Sequence, residues 1–234
     1  MQFSQDLIPA KLIRRYKRFL ADATLEDGSE ITAHCANPGS MLGLKDAGIR
    51  IWLEPNDDPK KKLKYGWRLV DHENGHFTGV DTSVPNRALK AALLAKEIPE
   101  LAHYDTVRPE VKFGQNSRVD FLLTKNGAPD LYVEVKSVTL SRVAGKGEFP
   151  DSVTARGTKH LFELTEVVRQ GHEAMMFYLV QRTDCDHVVL ADDIDPTYAA
   201  AFDVARAAGV QVMAYDCQIS PQGILVGKSL PFIR

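Results

Sequence analysis

The sequence predicts a two-domain α/β (α+β) protein, an all-β barrel over residues 1–82 followed by a layered α/β domain over residues 83–234. Up to about residue 82 the chain reads as short strands separated by Gly-, Pro- and Asn-containing turns. From Ser83 onward apolar residues fall first near helical spacing and then in longer strand-like runs. A third observation is the stretch SRVDFLLTKNGAPDLYVEVKSVTL, residues 117–140, whose two apolar runs each carry charge where a plain core strand would not.

In the first domain RRYKRFLADATLEDGSEITAHC predicts a hairpin, with runs at 16–25 and 30–35 flanking the turn signal Glu26-Asp27-Gly28-Ser29. NPGSMLGL is a turn-rich loop, and GIRIWLEP is a strand closed by Pro55. KLKYGWRLVDHENGHFTGVDT is a further hairpin around Glu73-Asn74-Gly75. About five short strands bearing basic and aromatic side chains predict a small barrel of the oligonucleotide-binding (OB) kind. In the second domain Ser83 is placed to cap a helix, with Leu89, Leu93, Leu94 and Ile98 near helical spacing. PEVKFG, SRVDFLLT and LYVEVKSVTL then read as three strands, and TKHLFELTEVVRQG as a helix ended by Gly171. EAMMFYLVQR is an apolar strand, 195–209 a helix with Tyr198, Phe202 and Ala205 inward, and GVQVMAYDCQIS a last strand.

Composition bounds the function. The 234 residues are 44% hydrophobic and 26% charged, as in ordinary soluble globular proteins. No apolar stretch approaches the roughly 20 residues needed to span a bilayer, and the N-terminus lacks the order of a signal peptide. A cytoplasmic location and no membrane partner are expected. Cys35, Cys185 and Cys217 are odd in number and widely spaced, which predicts free buried thiols. The net charge of −2 does not announce a nucleic-acid binder, but charge is polarised along the chain. Lys11, Arg14, Arg15, Lys17 and Arg18 crowd around Tyr16, and Lys60, Lys61, Lys62, Lys64 and Arg68 flank Tyr65 and Trp67. An acidic stretch, 184–195, lies in the C-terminal part.

On a strand, alternate residues share a face, so Glu134 and Lys136 point the same way. Asn126-Gly127 signals a hairpin that pairs this strand with the one bearing Asp120, bringing Asp120, Glu134 and Lys136 to one face. Two converging carboxylates repel unless a cation lies between them, and Mg²⁺ or Mn²⁺ suits such oxygen donors. A lysine beside the ion orients or deprotonates a water, or stabilises charge developing on a phosphate. The competing reading is a surface ion pair worth under about 1 kcal/mol.

An Asp on one strand, Glu134-Val135-Lys136 on the next and then a helix resembles the PD-(D/E)xK nuclease core. RYKRFLAD, AHCANPGSM, KLKYGW, SRVDFLL, YVEVKSVTL, FPDSVTARGTKHLFEL and DPTYAAAF, in that order, resemble the sugar fermentation stimulation protein A (SfsA) family along nearly the whole chain. The resemblance implies an OB-class barrel joined to a nuclease-like α/β domain, non-specific DNA binding and a regulatory role in sugar (maltose) metabolism. It also implies that Asp120 and Glu134 hold the metal with the Val135 carbonyl as a further ligand, and that Lys136 is catalytic. Glu110 is the first candidate for an extra acid and Glu97 the second. Asp120 follows Val119 rather than the proline of the motif's name. Nuclease domains of this kind often work as symmetric pairs, so a homodimer is admitted.

Other residues are candidates for nucleic-acid contact. Arg156, Lys159, His160 and Glu163 fall at or near one helix face, where a basic helix start suits a phosphate backbone; Lys159 and Glu163 also suit a plain i,i+4 pair. Alternation places Arg14, Tyr16 and Arg18 on one face, with Arg15 and Lys17 between them, a mix of charge and stacking surface. His34 and Asn37 precede a Pro-Gly turn and either present polar groups to nucleic acid or, for Asn37, cap their own turn. DNA is the first expected partner and RNA the second. Two functions remain: a Mg²⁺-dependent nuclease, or a non-catalytic DNA-binding regulator on a nuclease scaffold. A metal-free domain whose charged face meets a protein is a third.

Overall fold

The computed structural model describes residues 1–113 and 117–234; Gly114, the end of the predicted strand PEVKFG, lies outside the described residues. Five strands form the N-terminal barrel: β1 (Ile8–Tyr16), β2 (Leu20–Leu25), β3 (Glu30–Cys35), β4 (Arg50–Pro55) and β5 (Tyr65–Asp71). They pair in the order β3-β2-β1-β4-β5, and a parallel β3–β5 contact at His34↔Gly66 and Cys35↔Trp67 closes the ring. The expected single run 16–25 is in fact a hairpin of its own. Lys17 and Arg18 adopt left-handed backbone (φ 46° and 61°), and the chain reverses so that Tyr16 pairs with Leu20. Arg18 therefore lies on a turn and not on the face of Arg14 and Tyr16. Small inward residues, Ala21, Ala23 and Ala33, leave room for the fully buried Trp67, whose indole N–H donates to Leu69 O at 2.9 Å.

The strand β6 (Phe77–Gly79) extends the barrel from β5 and reaches the second domain. Its Gly79 N–H bonds Gln181 O at 2.8 Å, and a Cβ there would lie 2.9 Å from Gln181 Oε1, so a larger residue would have to displace the Gln181 side chain.

The second domain adds, in chain order, α1 (Val84–Leu94), β7 (Thr106–Phe113), β8 (Ser117–Thr124), β9 (Leu131–Val138), β10 (Leu140–Val143) and β11 (Gly145–Phe149). There follow α2 (Ala155–Arg169), β12 (Glu173–Val180), β13 (Cys185–Leu190), α3 (Pro196–Ala207), β14 (Gln211–Ser220), β15 (Gly223–Leu230) and β16 (Phe232–Ile233). The main sheet has the order β15-β14-β12-β9-β8-β7, parallel across β9, β12 and β14 and antiparallel towards both edges. β10, β11, β13 and β16 form a smaller sheet. GVQVMAYDCQIS is thus not the last strand, because β15 and β16 follow it. Helix α1 covers one face of the main sheet with Leu89, Phe121, Val133 and Phe177 in its core; α2 and α3 cover the other with Leu161, Leu164, Tyr178 and Phe202. β12, covered on both faces, is buried from Ala174 to Val180, which is why it reads as a continuous apolar run. All three cysteines are free and buried. Among the described residues no helix is long and apolar enough to cross a membrane.

Two helix starts share one carboxylate. Asp195, 2% exposed, accepts the Tyr198 N–H at 2.9 Å as the cap of α3 and the Thr154 N–H at 2.7 Å. Thr154 in turn caps α2 by accepting the Gly157 N–H. Replacing Asp195 with Ala removes a cap worth about 1 kcal/mol and strands a second N–H at about 1–3 kcal/mol. Urea denaturation of Asp195→Ala should therefore show a loss of about 2–4 kcal/mol with an unchanged m-value.

Candidate active site

The site begins where a strand pair comes apart. β8 and β9 are in register from Leu123↔Leu131 to Phe121↔Val133, and the ladder stops there. Phe121 and Leu123 pack into the core under α1, whereas Val119 packs into the core on the opposite face. The in–out alternation of β8 thus breaks at Asp120, and its carboxylate takes the place of the missing ladder partner. Oδ2 accepts the Val135 N–H of β9 at 2.7 Å, and Oδ1 accepts Asn86 Nδ2 of α1 at 2.7 Å.

On β9, Glu134 is 3% exposed and faces the same space. Its Oε1 accepts Lys136 Nζ at 2.8 Å and also bonds His160 Nδ1 of α2. Arg156 Nε points at the other imidazole nitrogen, Nε2, at 3.4 Å, and Lys136 Nζ lies 3.4 Å from Nδ1. Glu134 Oε2 is buried without a hydrogen-bond partner among the described residues.

The electrostatics follow from this crowding. Burial, reinforced by the negative charge of Glu134, pushes the Asp120 carboxyl up to about 6; the Val135 N–H, Asn86 and Lys136 offset part of that. Burial also works to raise Glu134, but the His160 bond and the Lys136 charge outweigh it and hold that carboxyl below its ordinary value. Adjacent carboxylates are therefore driven apart, one towards protonation and one towards permanent charge.

Asp120, Glu134, Val135, Lys136, Arg156 and His160 line one cleft of about 390 Å³, and the barrel supplies its far wall through Asn37, Pro38 and Gly39. That wall is tied down from several sides. Asn37 Oδ1 accepts the Gly39 N–H at 2.8 Å and its Nδ2 donates to Val80 O at 3.0 Å, so this buried amide shapes its own loop. Arg15 Nη2 donates to Asn37 O at 2.7 Å and Gly39 O at 3.0 Å. From the second domain Asp151 Oδ2 accepts the Met41 N–H at 3.1 Å, and a Cβ on Gly39 would lie 2.7 Å from that oxygen.

The other predicted residues are dispersed. Glu110 is exposed, at φ 54°, where the β7–β8 pairing lapses between Pro109↔Phe121 and Val111↔Val119 without a change of register, and it does not line the cleft. Glu97 is exposed beyond the end of α1. The single basic face expected on α2 divides in two: Arg156 and His160 face the cleft, while Lys159 Nζ turns to Ser117 Oγ at 3.2 Å and Glu163 at 3.5 Å. His160 is 4% exposed and bonded to Glu134, which makes it a support of that carboxylate and not a surface contact for nucleic acid. Arg14 pairs with Asp22 at 2.8 Å and lies over Tyr16, while Lys17, Arg18 and His34 are exposed. Asn86 and Asp151 were not expected at the site. A polar residue among the buried Val84, Pro85, Ala88 and Leu89 of α1 is the signal that would have found Asn86.

With this geometry in hand, comparison with known proteins is specific. The family description "SfsA N-terminal OB domain" matches residues 13–80, and "Sugar fermentation stimulation protein RE domain" matches residues 83–223. The sugar fermentation stimulation protein homolog of Ruegeria pomeroyi is 69% identical over 230 residues, covering 98% of this chain and 100% of its own. That of Roseobacter denitrificans is 68% identical over 232 residues, covering 99% of each. Among solved structures, Pyrococcus furiosus SfsA in complex with Ca²⁺ has a TM-score of 0.88 at 24% identity, covering 100% of this chain and 98% of that one, a likeness of fold. With both domains matched and close relatives aligned end to end, the chain belongs to the sugar fermentation stimulation protein (SfsA) family.

Proposed function

We propose that the protein binds nucleic acid, DNA in the first instance, through its OB barrel and hydrolyses a phosphodiester in the cleft with a divalent ion, Mg²⁺ or Mn²⁺. The observation that carries this reading is the Asp120–Glu134 pair, in which one buried carboxyl is pushed up to about 6 and the other leaves Oε2 without a partner. A buried acceptor left unpaired costs about 1–3 kcal/mol, and a hard cation relieves both that and the repulsion. Asp120 and Glu134 would hold the ion, with the Val135 carbonyl as a further oxygen. Among the described residues no group of three or more His, Cys, Asp or Glu gathers into a metal cage, which suits an ion that keeps several waters. That the Pyrococcus furiosus relative is described in complex with Ca²⁺, another oxygen-seeking cation, supports the reading.

When bound, the ion supplies polarisation of a phosphate oxygen and a water of lowered pKa. The chain's own residues do the rest. Lys136, 13% exposed and held by Glu134, faces the cleft and is placed to orient the attacking water or stabilise charge gathering on the phosphate. Arg156, exposed in the first turn of α2, offers a cation at the positive end of the helix for the strand's phosphates. His160 keeps Glu134 Oε1 engaged, so that Oε2 is the oxygen left for the ion.

A second reading is a DNA-binding regulator of sugar (maltose) metabolism that does not cut. It is favoured by Lys136 and His160, which bond Glu134 without any ion. Cleavage of labelled single- and double-stranded DNA and RNA in Mg²⁺ or Mn²⁺ separates the two. On the enzyme reading, Lys136→Ala and Glu134→Ala each lose at least about a hundredfold in rate while retaining salt-sensitive binding. No cutting of any substrate by the wild type, with equal binding by all three proteins, leaves the regulator.

The Asp120 shift yields a proton-linkage prediction. Between its ordinary value of 3.8 and about 6 the folded chain keeps a proton that the unfolded chain has lost. The metal-free fold therefore loses stability as pH rises through that window, by on the order of 2–3 kcal/mol, and no more above it. The difference in denaturation free energy between wild type and Asp120→Asn should show this slope. By calorimetry in two buffers, ion binding should release about half a proton at pH 6 and almost none at pH 8.

A further inference from the structure

The barrel carries a second surface outside the cleft. At the β1–β2 turn the left-handed Lys17 and Arg18 lead into Phe19, whose N–H bonds Lys17 O at 2.7 Å and whose ring is 46% exposed. The Phe19 carbonyl accepts the Cys35 N–H at 2.8 Å, which ties the turn to β3. Beside it on β3, the exposed His34 holds its ring within 17° of parallel to that of Phe19, with centroids 6.4 Å apart. His34 also lines a groove of about 490 Å³ with Tyr65, Lys61 and Lys62. The loop that edges this groove, residues 56–64, carries four lysines and two aspartates, a net +2. The carboxylate in the groove, Glu54, is paired with Arg68 at 2.7 Å, a cation it shares with Asp81. Lys17, Arg18, Lys61 and Lys62 make no ion pair with the described residues.

Exposed flat rings between unpaired cations match one ligand chemistry. Unstacked bases offer faces to the rings while the phosphates meet the lysines; a duplex keeps its base faces inside the stack, out of reach of Phe19 and His34. We propose that Phe19 and His34, with the lysine loop of residues 56–64, form a stacking site for single-stranded nucleic acid, which makes single strands the class of ligand the barrel prefers. The proposal rests on the nucleic-acid reading of the barrel, and it holds whether or not the cleft cuts.

The test is fluorescence anisotropy of the full chain without divalent ions, against a labelled oligothymidylate of about 16 nucleotides, an upper site size for one OB barrel, and a duplex of equal length. The single strand should bind at least about tenfold tighter. Phe19→Ala, at an exposed position, should keep the wild-type melting temperature and lose about tenfold in single-strand affinity with an unchanged salt slope; Phe19→Tyr should restore it. Lys61→Gln with Lys62→Gln should lower the salt slope instead. Equal affinity for duplex and single strand, or wild-type affinity in both Phe19→Ala and His34→Ala, overturns the stacking site and leaves metal-dependent cleavage standing. Binding of neither polymer overturns the stacking site together with the nucleic-acid reading of the barrel.

Discussion

Two carboxylates buried side by side set the conditions that the rest of the second domain meets. Asp120, half-buried, and Glu134, buried, repel each other at the wall of the cleft, and each must be supplied with donors from somewhere. The donors come from every layer of the fold: Asn86 from α1 on one face of the sheet, His160 from α2 on the other, and Val135 and Lys136 from β9 between them. Parting β8 from β9 beyond Phe121↔Val133 makes the room. A continued ladder would have satisfied Val135 with backbone and left Asp120 no reason to turn inward. The local break is therefore the device that brings an acid from one strand against an acid from the next.

The same logic governs how the barrel meets the second domain. A cleft walled by a loose loop would not keep a fixed shape, and the loop at Asn37–Gly39 is anything but loose. Arg15 braces two of its carbonyls from the barrel side, Asp151 grips Met41 from the other, and Gly39 lets the two sides approach within van der Waals contact. Further along the seam Gly79 packs on Gln181, and Arg68 joins the buried Glu54 to the buried Asp81. Breaking one partner from a buried ion pair is expensive because it strands the other charge.

This arrangement explains which parts of the site were legible in the sequence. Asp120, Glu134 and Lys136 stood out because each interrupts an apolar run and the Asn-Gly turn pairs their strands, but the break in β8 that turns Asp120 to its donors was not legible in the alternation. The barrel was legible from its turns. What sequence cannot show is which charges are already matched. In RRYKR the run reads as uniform, yet Arg14 is paired with Asp22 and Arg15 holds a loop, while Lys17 and Arg18 make no ion pair with the described residues. The reason is long-range: Asn37 and Gly39 lie 22 and 24 residues from Arg15. His160 read as a surface base for the same reason, since its partner Glu134 is 26 residues away. β11 and β15 were missed because GKGEF and GILVGKSL mix glycine and polar residues in edge or small-sheet positions, where periodicity is weak.

Lys136 has a consequence for how far the fold depends on an ion. With Asp120 and Glu134 ionised and Lys136 charged, the trio carries one uncompensated negative charge, not two. His160 adds a further hydrogen bond to Glu134, with Arg156 against its other nitrogen. One negative charge is tolerable at the edge of a cleft, where the raised Asp120 carboxyl relieves it by taking up a proton. A structural metal site behaves differently, since its ligands have no internal counter-charge and unfold without the ion. Here the hydrogen bonds that hold Glu134 come from the protein, and Oε2 is buried without a partner among the described residues. The scaffold therefore supplies its own hydrogen bonds to Glu134, and the proposed ion would add chemistry to a site already built.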